Sequence, residues 1–223
     1  MSTSNQRRSI LIAGATGLVG SRILQALLAD RTVAAVQALS RRPWALHHPK
    51  LQIHSADFSR LPALAPVDEV YLALGTTIKV AGSRAAFRAV DLDANLSAAK
   101  AAVCAGATRA GLVSAAGASP QSSMFYNRVK GELEEALIAL HLDALVIAQP
   151  SLLLDDRSSL QQPVRIGEKI AIPIAKLLAP ILPRQYQPVH ARAVAQSLIK
   201  TVPSARGTVV LASDEIARIG REH

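Results

Sequence analysis

The chain has 223 residues, a formal charge of +9 and hydrophobic side chains at 50% of its positions. This length supports one full core with a small elaboration, and the apolar fraction excludes a disordered chain. Arginine supplies most of the cations, singly or in pairs such as Arg7-Arg8 and Arg41-Arg42, with no basic run and few aromatics, so nucleic acid is not the expected partner.

An anionic small molecule accounts for the local arginine pairs better. Cys104 is the only cysteine, so an intrachain disulfide is excluded and a reduced, cytoplasmic setting is expected. Cys104 itself reads as core packing in an Ala-rich helix. The longest apolar candidate for a membrane span, 170–183, carries two internal prolines and Lys176. Arg7-Arg8 before an apolar run could mark a secretion signal, but the run ends at Gly14 and is needed as a strand.

Residues 9–13 read as the first strand. Gly14, Gly17 and Gly20 then follow at three-residue spacing and open a helix over 17–29, with Leu18, Ile23, Leu24, Leu27 and Leu28 as its apolar stripe. A buried strand turns into a helix this way while leaving room for a pyrophosphate. Gly14 permits the turn, Gly17 has no side chain to block the phosphates, and Gly20 lets the helix lie close on the strand. The loop residues Gly14, Thr16, Gly17, Leu18 and Val19 are therefore expected to hold the anion, largely through backbone N–H groups.

The second strand, 32–39, buries Val33, Val36 and Leu39 and ends in Ser40-Arg41-Arg42-Pro43. An NAD site would place an acid here for the ribose 2′-OH. Arginines instead suit a 2′-phosphate, so NADP(H) is the expected cofactor. A short strand over 51–54 precedes Asp57-Phe58. Asp57 has two readings: an acceptor for the adenine amino group beside Phe58, or the cap of a turn before Leu61.

The fourth strand, 69–74, is nearly all apolar, as a central parallel strand should be, and runs into Gly75-Thr76-Thr77. A long Ala-rich helix over 83–105 ends at Gly106. The fifth strand, 109–113, leads into Ser114. A helix opening at Phe125 carries Tyr126 and Lys130 on one face. A sixth strand over 144–148 closes at Gln149-Pro150. The tail holds a proline-rich stretch, a helix over 191–200 and a last strand over 207–212.

The alternation predicts an α/β fold: one Rossmann-type domain over 1–223, a doubly wound parallel sheet with a small C-terminal substrate lobe. Residues 150–190 form the irregular segment expected to cover the substrate. The apolar stretch 170–182 packs on the core, covers the pocket or faces a second subunit of a homodimer. His190, before a helix, reads as structural in preference to pocket-facing.

Tyr126, Lys130 and Ser114 form the chemical constellation. A tyrosine hydroxyl is a weak acid, and a nearby ammonium favours its phenolate. Lys130, one turn from Tyr126, supplies that charge and can also hold the nicotinamide ribose. Ser114 can hydrogen-bond a substrate carbonyl beside the tyrosine. No metal is expected; the hydride belongs to the cofactor.

These motifs resemble the atypical short-chain dehydrogenase/reductases, and more narrowly the Tat-interacting-protein-like NAD(P)H-binding oxidoreductases. The resemblance is carried by Gly14-Ala15-Thr16-Gly17-Leu18-Val19-Gly20, Ser40-Arg41-Arg42-Pro43 and Leu74-Gly75-Thr76-Thr77. The stretches Leu112-Val113-Ser114-Ala115-Ala116-Gly117-Ala118 and Tyr126-Asn127-Arg128-Val129-Lys130-Gly131-Glu132 complete it. It implies Ser114, Tyr126 and Lys130 as catalytic residues, Arg41 and Arg42 as NADP-selecting, and Asp57-Phe58 at the adenine. Leu74, Gly75, Thr76, Pro150 and Leu152 complete the implied cofactor contacts.

The chain departs from the family at Gln149-Pro150-Ser151, where relatives often show Arg-Pro-Gly. Many single-domain members carry an asparagine on the long helix, where this chain has Val90-Asp91, with Asn95 a turn later. The leading expectation is an NADPH-dependent carbonyl reductase acting on a small molecule. The alternatives are an NADPH-binding regulatory or interaction protein with little turnover and, ranked lower, an isomerase or epimerase that recycles its cofactor.

Overall fold

A computed structural model describes residues 7–42, 44–154 and 187–221. Seven parallel strands form one sheet in the order β3-β2-β1-β4-β5-β6-β7. They are β1 (Arg8–Ala13), β2 (Val33–Ser40), β3 (Leu51–Ser55), β4 (Glu69–Leu72), β5 (Arg109–Val113), β6 (Ala144–Gln149) and β7 (Gly207–Ala212). The order reverses direction at β1, and the crevice beside that switch point is where open α/β sheets take their ligands. The expected Rossmann-type sheet is thus observed. The expected substrate lobe falls largely within 155–186, outside the described residues, as does the apolar stretch 170–182.

Side-chain alternation along β1 builds two cores. Ile10 and Ile12 face one side, with Val36, Ile23 and Leu27; Leu11 and Ala13 face the other, with Leu72, Leu112 and Leu133. Each of these is buried to 2% exposure or less, and a fully buried leucine or isoleucine contributes about 1.5–3 kcal/mol. Helix α1 (Leu18–Ala29) lies on the first core. Short helices α2 (Ile78–Ala81) and α3 (Arg84–Arg88) follow β4. On the second core lie α4 (Asn95–Cys104) and α5 (Phe125–Ile138). Helices α6 (Ala191–Thr201) and α7 (Ser213–Arg221) return to the first.

The structure corrects three expectations and shows one of the two readings of Asp57. The helix over 83–105 is not uniform: Ala89–Ala94 is a π-helical turn between α3 and α4. Such a turn adds one residue and re-aims the side chains around it. Cys104 is exposed at the end of α4 and is not core. Asp57 caps a turn, as one of its two readings had it: its Oδ1 accepts from Ser59 N at 2.9 Å and Ser59 Oγ at 2.8 Å. Those bonds hold the exposed Asp57 carboxyl below its ordinary value. Lastly, α7 follows β7 where only a strand was expected.

The amino-terminal edge of the sheet is tied by Arg8. Its Nη1 donates to both oxygens of buried Glu69 at 2.8 and 2.9 Å, and its Nη2 donates to Asp30 Oδ2 at 2.8 Å. Tyr71 Oη donates to Glu69 Oε2 at 3.0 Å. Arg8 therefore belongs to β1 and its ion pairs.

Candidate functional site

The cleft lies at the carboxyl edge of β1, β4 and β5. Its first wall is the glycine loop. Gly14 has φ +91°, and a Cβ there would lie 2.4 Å from the carbonyl of Ala73. A Cβ on Gly20 would lie 2.0 Å from Gly14 O, so only glycine lets α1 rest on the loop. Gly17 caps α1 in extended conformation, with no side-chain cap and no acid in the first helical turn. The opening N–H groups of α1 thus meet no acid from their own first turn, which fits a dinucleotide pyrophosphate.

The second wall comes from β4, β5 and α5. Leu74, Gly75, Thr76, Ser114, Tyr126 and Lys130 line the cleft together with Leu18 and Val19 from α1. The loop after β5 reaches α5 through Gly131, where a Cβ would lie 2.2 Å from the carbonyl carbon of Ser119. Ser119 N also donates to Asn127 O at 3.1 Å. Close backbone contact thereby fixes the α5 face that bears Tyr126 and Lys130.

Tyr126 is exposed, at 36%, and its ring packs 5.6 Å from that of Phe87. Lys130 is buried, and its Nζ lies 2.8 Å from Asp91 Oδ1. Burial pushes the Lys130 ammonium down, but the charge of Asp91, aided by Tyr126 and Glu134, outweighs it and holds the pKa above its ordinary value. Asp91 Oδ2 accepts from Thr76 N at 2.8 Å. The π turn thus swings Asp91 into the cleft, where it grips both Lys130 and the loop after β4. Asn95 Nδ2 donates to Leu74 O and Asp91 O, both at 3.1 Å, while its buried Oδ1 has no partner among the described residues.

Ser114 is buried and its Oγ donates to Glu134 Oε1 in a short hydrogen bond. Gln149 Nε2 donates to both oxygens of Glu134, at 3.1 and 3.0 Å. Burial pushes the Glu134 carboxyl above its ordinary value, against Ser114, Gln149 and Lys130, which favour the carboxylate. Sequence reasoning missed Glu134. Its signal was spacing: it continues the Tyr126–Lys130 stripe by another turn.

Of the remaining expected contacts, Pro150 lines the cleft; Leu152 does not, and the neighbouring Leu153 takes that place. Leu152 O accepts from Val189 N at 2.9 Å, in a pairing that turns the Leu153 side chain inward. Thr16 stands in the glycine loop itself. Arg41 and Arg42 are exposed just past β2, adjacent to β1 in the sheet, with Ser40 Oγ donating to Arg42 O at 2.8 Å. Phe58 is part-buried against the second core. His190 is an exposed residue at the start of α6. Among the described residues no group of three His, Cys, Asp or Glu side chains could hold a metal ion, and no helix is long and apolar enough to cross a membrane.

A family model described as NAD(P)H-binding matches residues 14–170. Among curated proteins, the chain is 36% identical over 162 residues to "Protein FMP52, mitochondrial" of Coccidioides immitis, spanning 66% of each chain. It is 33% identical over 201 residues to the protein of that name in Lodderomyces elongisporus, spanning 82% of each. Both names carry the word mitochondrial, which overturns the expectation of a cytoplasmic setting.

Among solved structures, MoeE5 in complex with UDP-glucose and NAD superposes with a TM-score of 0.65 at 17% identity, over 95% of this chain and 80% of that one. The Helicobacter pylori ADP-L-glycero-D-manno-heptose-6-epimerase gives 0.66 at 16% identity, over 100% and 84%. At that identity these two share the fold. The glycine loop, the sheet order and the match over most of its length lead to one conclusion: the chain belongs to the NAD(P)H-binding family, as its resemblance to the atypical short-chain dehydrogenase/reductases implied.

Proposed function

We propose that this protein is an NADPH-dependent reductase of a carbonyl compound. The observation that carries the reading is the presence of Ser114, Tyr126 and Lys130 in the same cleft as the start of α1 and the β4 loop. The α1 amides would hold the pyrophosphate, and Arg41 and Arg42 the 2′-phosphate. Bound NADPH would supply the hydride to the carbonyl carbon. Tyr126 would give its hydroxyl proton to the carbonyl oxygen and recover one from solvent at its exposed edge. Lys130, anchored by Asp91, would hold the ribose and stabilise the phenolate left on Tyr126.

Paired titrations with NADPH and NADH, read by nicotinamide fluorescence, test the cofactor. Tighter NADPH binding is expected, and failure of both to bind overturns the reading. A carbonyl panel then tests turnover, and Tyr126→Phe retaining full activity removes the mechanism.

A second reading, an NADPH-binding regulator with little turnover, is favoured by two contacts. Lys130 is engaged by Asp91, and Ser114 donates a hydrogen bond to Glu134. Tight NADPH binding with no turnover across the panel, and a protein partner recovered by pull-down, would favour it.

A further inference from the structure

Ser114 Oγ is hydrogen-bonded to Glu134, and with Glu134 ionised the single serine proton lies in that bond, away from the cleft. A serine in this state offers the cleft only oxygen lone pairs. It can accept a hydrogen bond there but cannot donate one to a carbonyl oxygen. We infer that Glu134 is a positioning residue that sets the polarity of the Ser114 hydroxyl: ionised, it draws the proton away from the cleft; protonated, it donates to Ser114 Oγ and turns the serine proton toward the substrate. The inference rests on the carbonyl-reductase reading only for its kinetic consequence.

Three features of the site support it. Glu134 is gripped from two strands, by Ser114 at the end of β5 and Gln149 at the end of β6. Gln149 donates to both carboxylate oxygens, so Glu134 is held in place whichever way the serine proton turns. Among the described residues the charged group facing it is Lys130, one turn back on α5, whose ammonium is tied to Asp91 of the π turn; β5 and β6 present the neutral Ser114 and Gln149. Burial favours the protonated carboxyl, so both states of the switch are accessible closer to neutrality than for a solvated glutamate.

The chemical consequence concerns direction. With Glu134 protonated, the chain Glu134–OH to Ser114–OH to carbonyl oxygen runs donor to acceptor throughout, and the site favours a carbonyl ligand. With Glu134 ionised, Ser114 is an acceptor, and the site favours a hydroxyl-bearing ligand. No bond forms or breaks at Glu134 or Ser114 other than to hydrogen; one proton exchanges with solvent.

The test titrates the intact protein with 13C-labelled glutamate carboxyls by NMR, assigning Glu134 by the resonance lost in Glu134→Gln. The Ser114 proton stabilises the carboxylate, so Ser114→Ala should raise the Glu134 midpoint by about 0.5–1 pH unit. A midpoint that stays or falls overturns the inference. In the kinetic arm, wild-type kcat/KM for carbonyl reduction should fall about tenfold per pH unit above that midpoint. Glu134→Gln loses one of the two Gln149 contacts, because one gripped oxygen becomes an NH2, but it cannot ionise in either amide orientation, so this limb should vanish. Retention of the limb in Glu134→Gln also overturns the inference. If no carbonyl in a broad panel is turned over, the reductase reading fails and the titration alone decides the polarity of Ser114.

Discussion

Replacing Asp91 by asparagine probes the electrostatic centre of the cleft. The Lys130 and Asp91 side chains are 5% and 1% exposed, 2.8 Å apart. At an effective dielectric near 20, their attraction is about 6 kcal/mol before desolvation. The introduced amide would still accept from Thr76 N through its oxygen, but its NH2 would face the Lys130 ammonium, donor against donor. Removing one partner of a buried pair costs about 3–5 kcal/mol, a fall of about 6–20 °C in Tm for a chain of this size.

The pH dependence has a definite sign. In the wild type, Lys130 titrates above its ordinary value of 10.5, so the pair contributes fully below that value and loses its contribution only as the pH rises through the folded pKa. In Asp91→Asn, burial acts on Lys130 without that counter-charge, so the variant gains stability with rising pH and the gap to wild type narrows. Urea unfolding of wild type, Asp91→Asn, Lys130→Met and the double variant at about pH 7 and pH 9.5 measures both effects. The double variant should recover part of the loss, because no charge is left buried alone. A cost under about 1 kcal/mol, or strict additivity, would refute the buried-pair reasoning.

Gly131→Ala places a Cβ 2.2 Å from the Ser119 carbonyl carbon, so the β5 loop must lift from α5. The expected loss is about 1–3 kcal/mol, read as a lower unfolding midpoint with weakened NADPH binding. The double change Arg41→Ala, Arg42→Ala should weaken NADPH by about 10- to 100-fold and leave NADH nearly unchanged, read from fluorescence titrations. Asp30 titrates below 3.8: burial opposes this, but its Thr32 hydrogen bonds and the charges of Arg8 and Lys50 prevail. Its stabilisation is therefore present above that value and lost as the pH falls through the folded pKa. Asp30→Asn should show a shallower loss of stability on acidification, measured by urea unfolding at about pH 7 and pH 3.

The strands were the most legible part of the chain. The limits expected for β5 and β7 match those observed, because short apolar runs between turn residues have few other solutions. The glycine spacing at Gly14, Gly17 and Gly20 was equally readable, since backbone approach alone demands it. The π turn was not. In an Ala-rich stretch every face packs acceptably, so periodicity carries no mark of one inserted residue. Asp91 and Asn95 could be named from sequence, but not the direction they point.

Glu134 was hidden for a different reason. A glutamate on a polar helix reads as solvated until the end of β6 brings Gln149 to it. Cys104 was misread because alanines around it dilute the amphipathic signal. Leu152 and Leu153 differ only by strand parity, which depends on pairing with Val189, far along the chain.

Cys104 also has a practical meaning. It is the chain's only cysteine, and it stands exposed at the end of α4, the helix that leads into the start of β5. It therefore lies at the opposite rim of the sheet from the cleft. A maleimide dye or surface tether attached there would label each molecule once, with the opening turned outward. Binding and turnover could then be followed on single oriented molecules of the natural sequence, with no engineered attachment point.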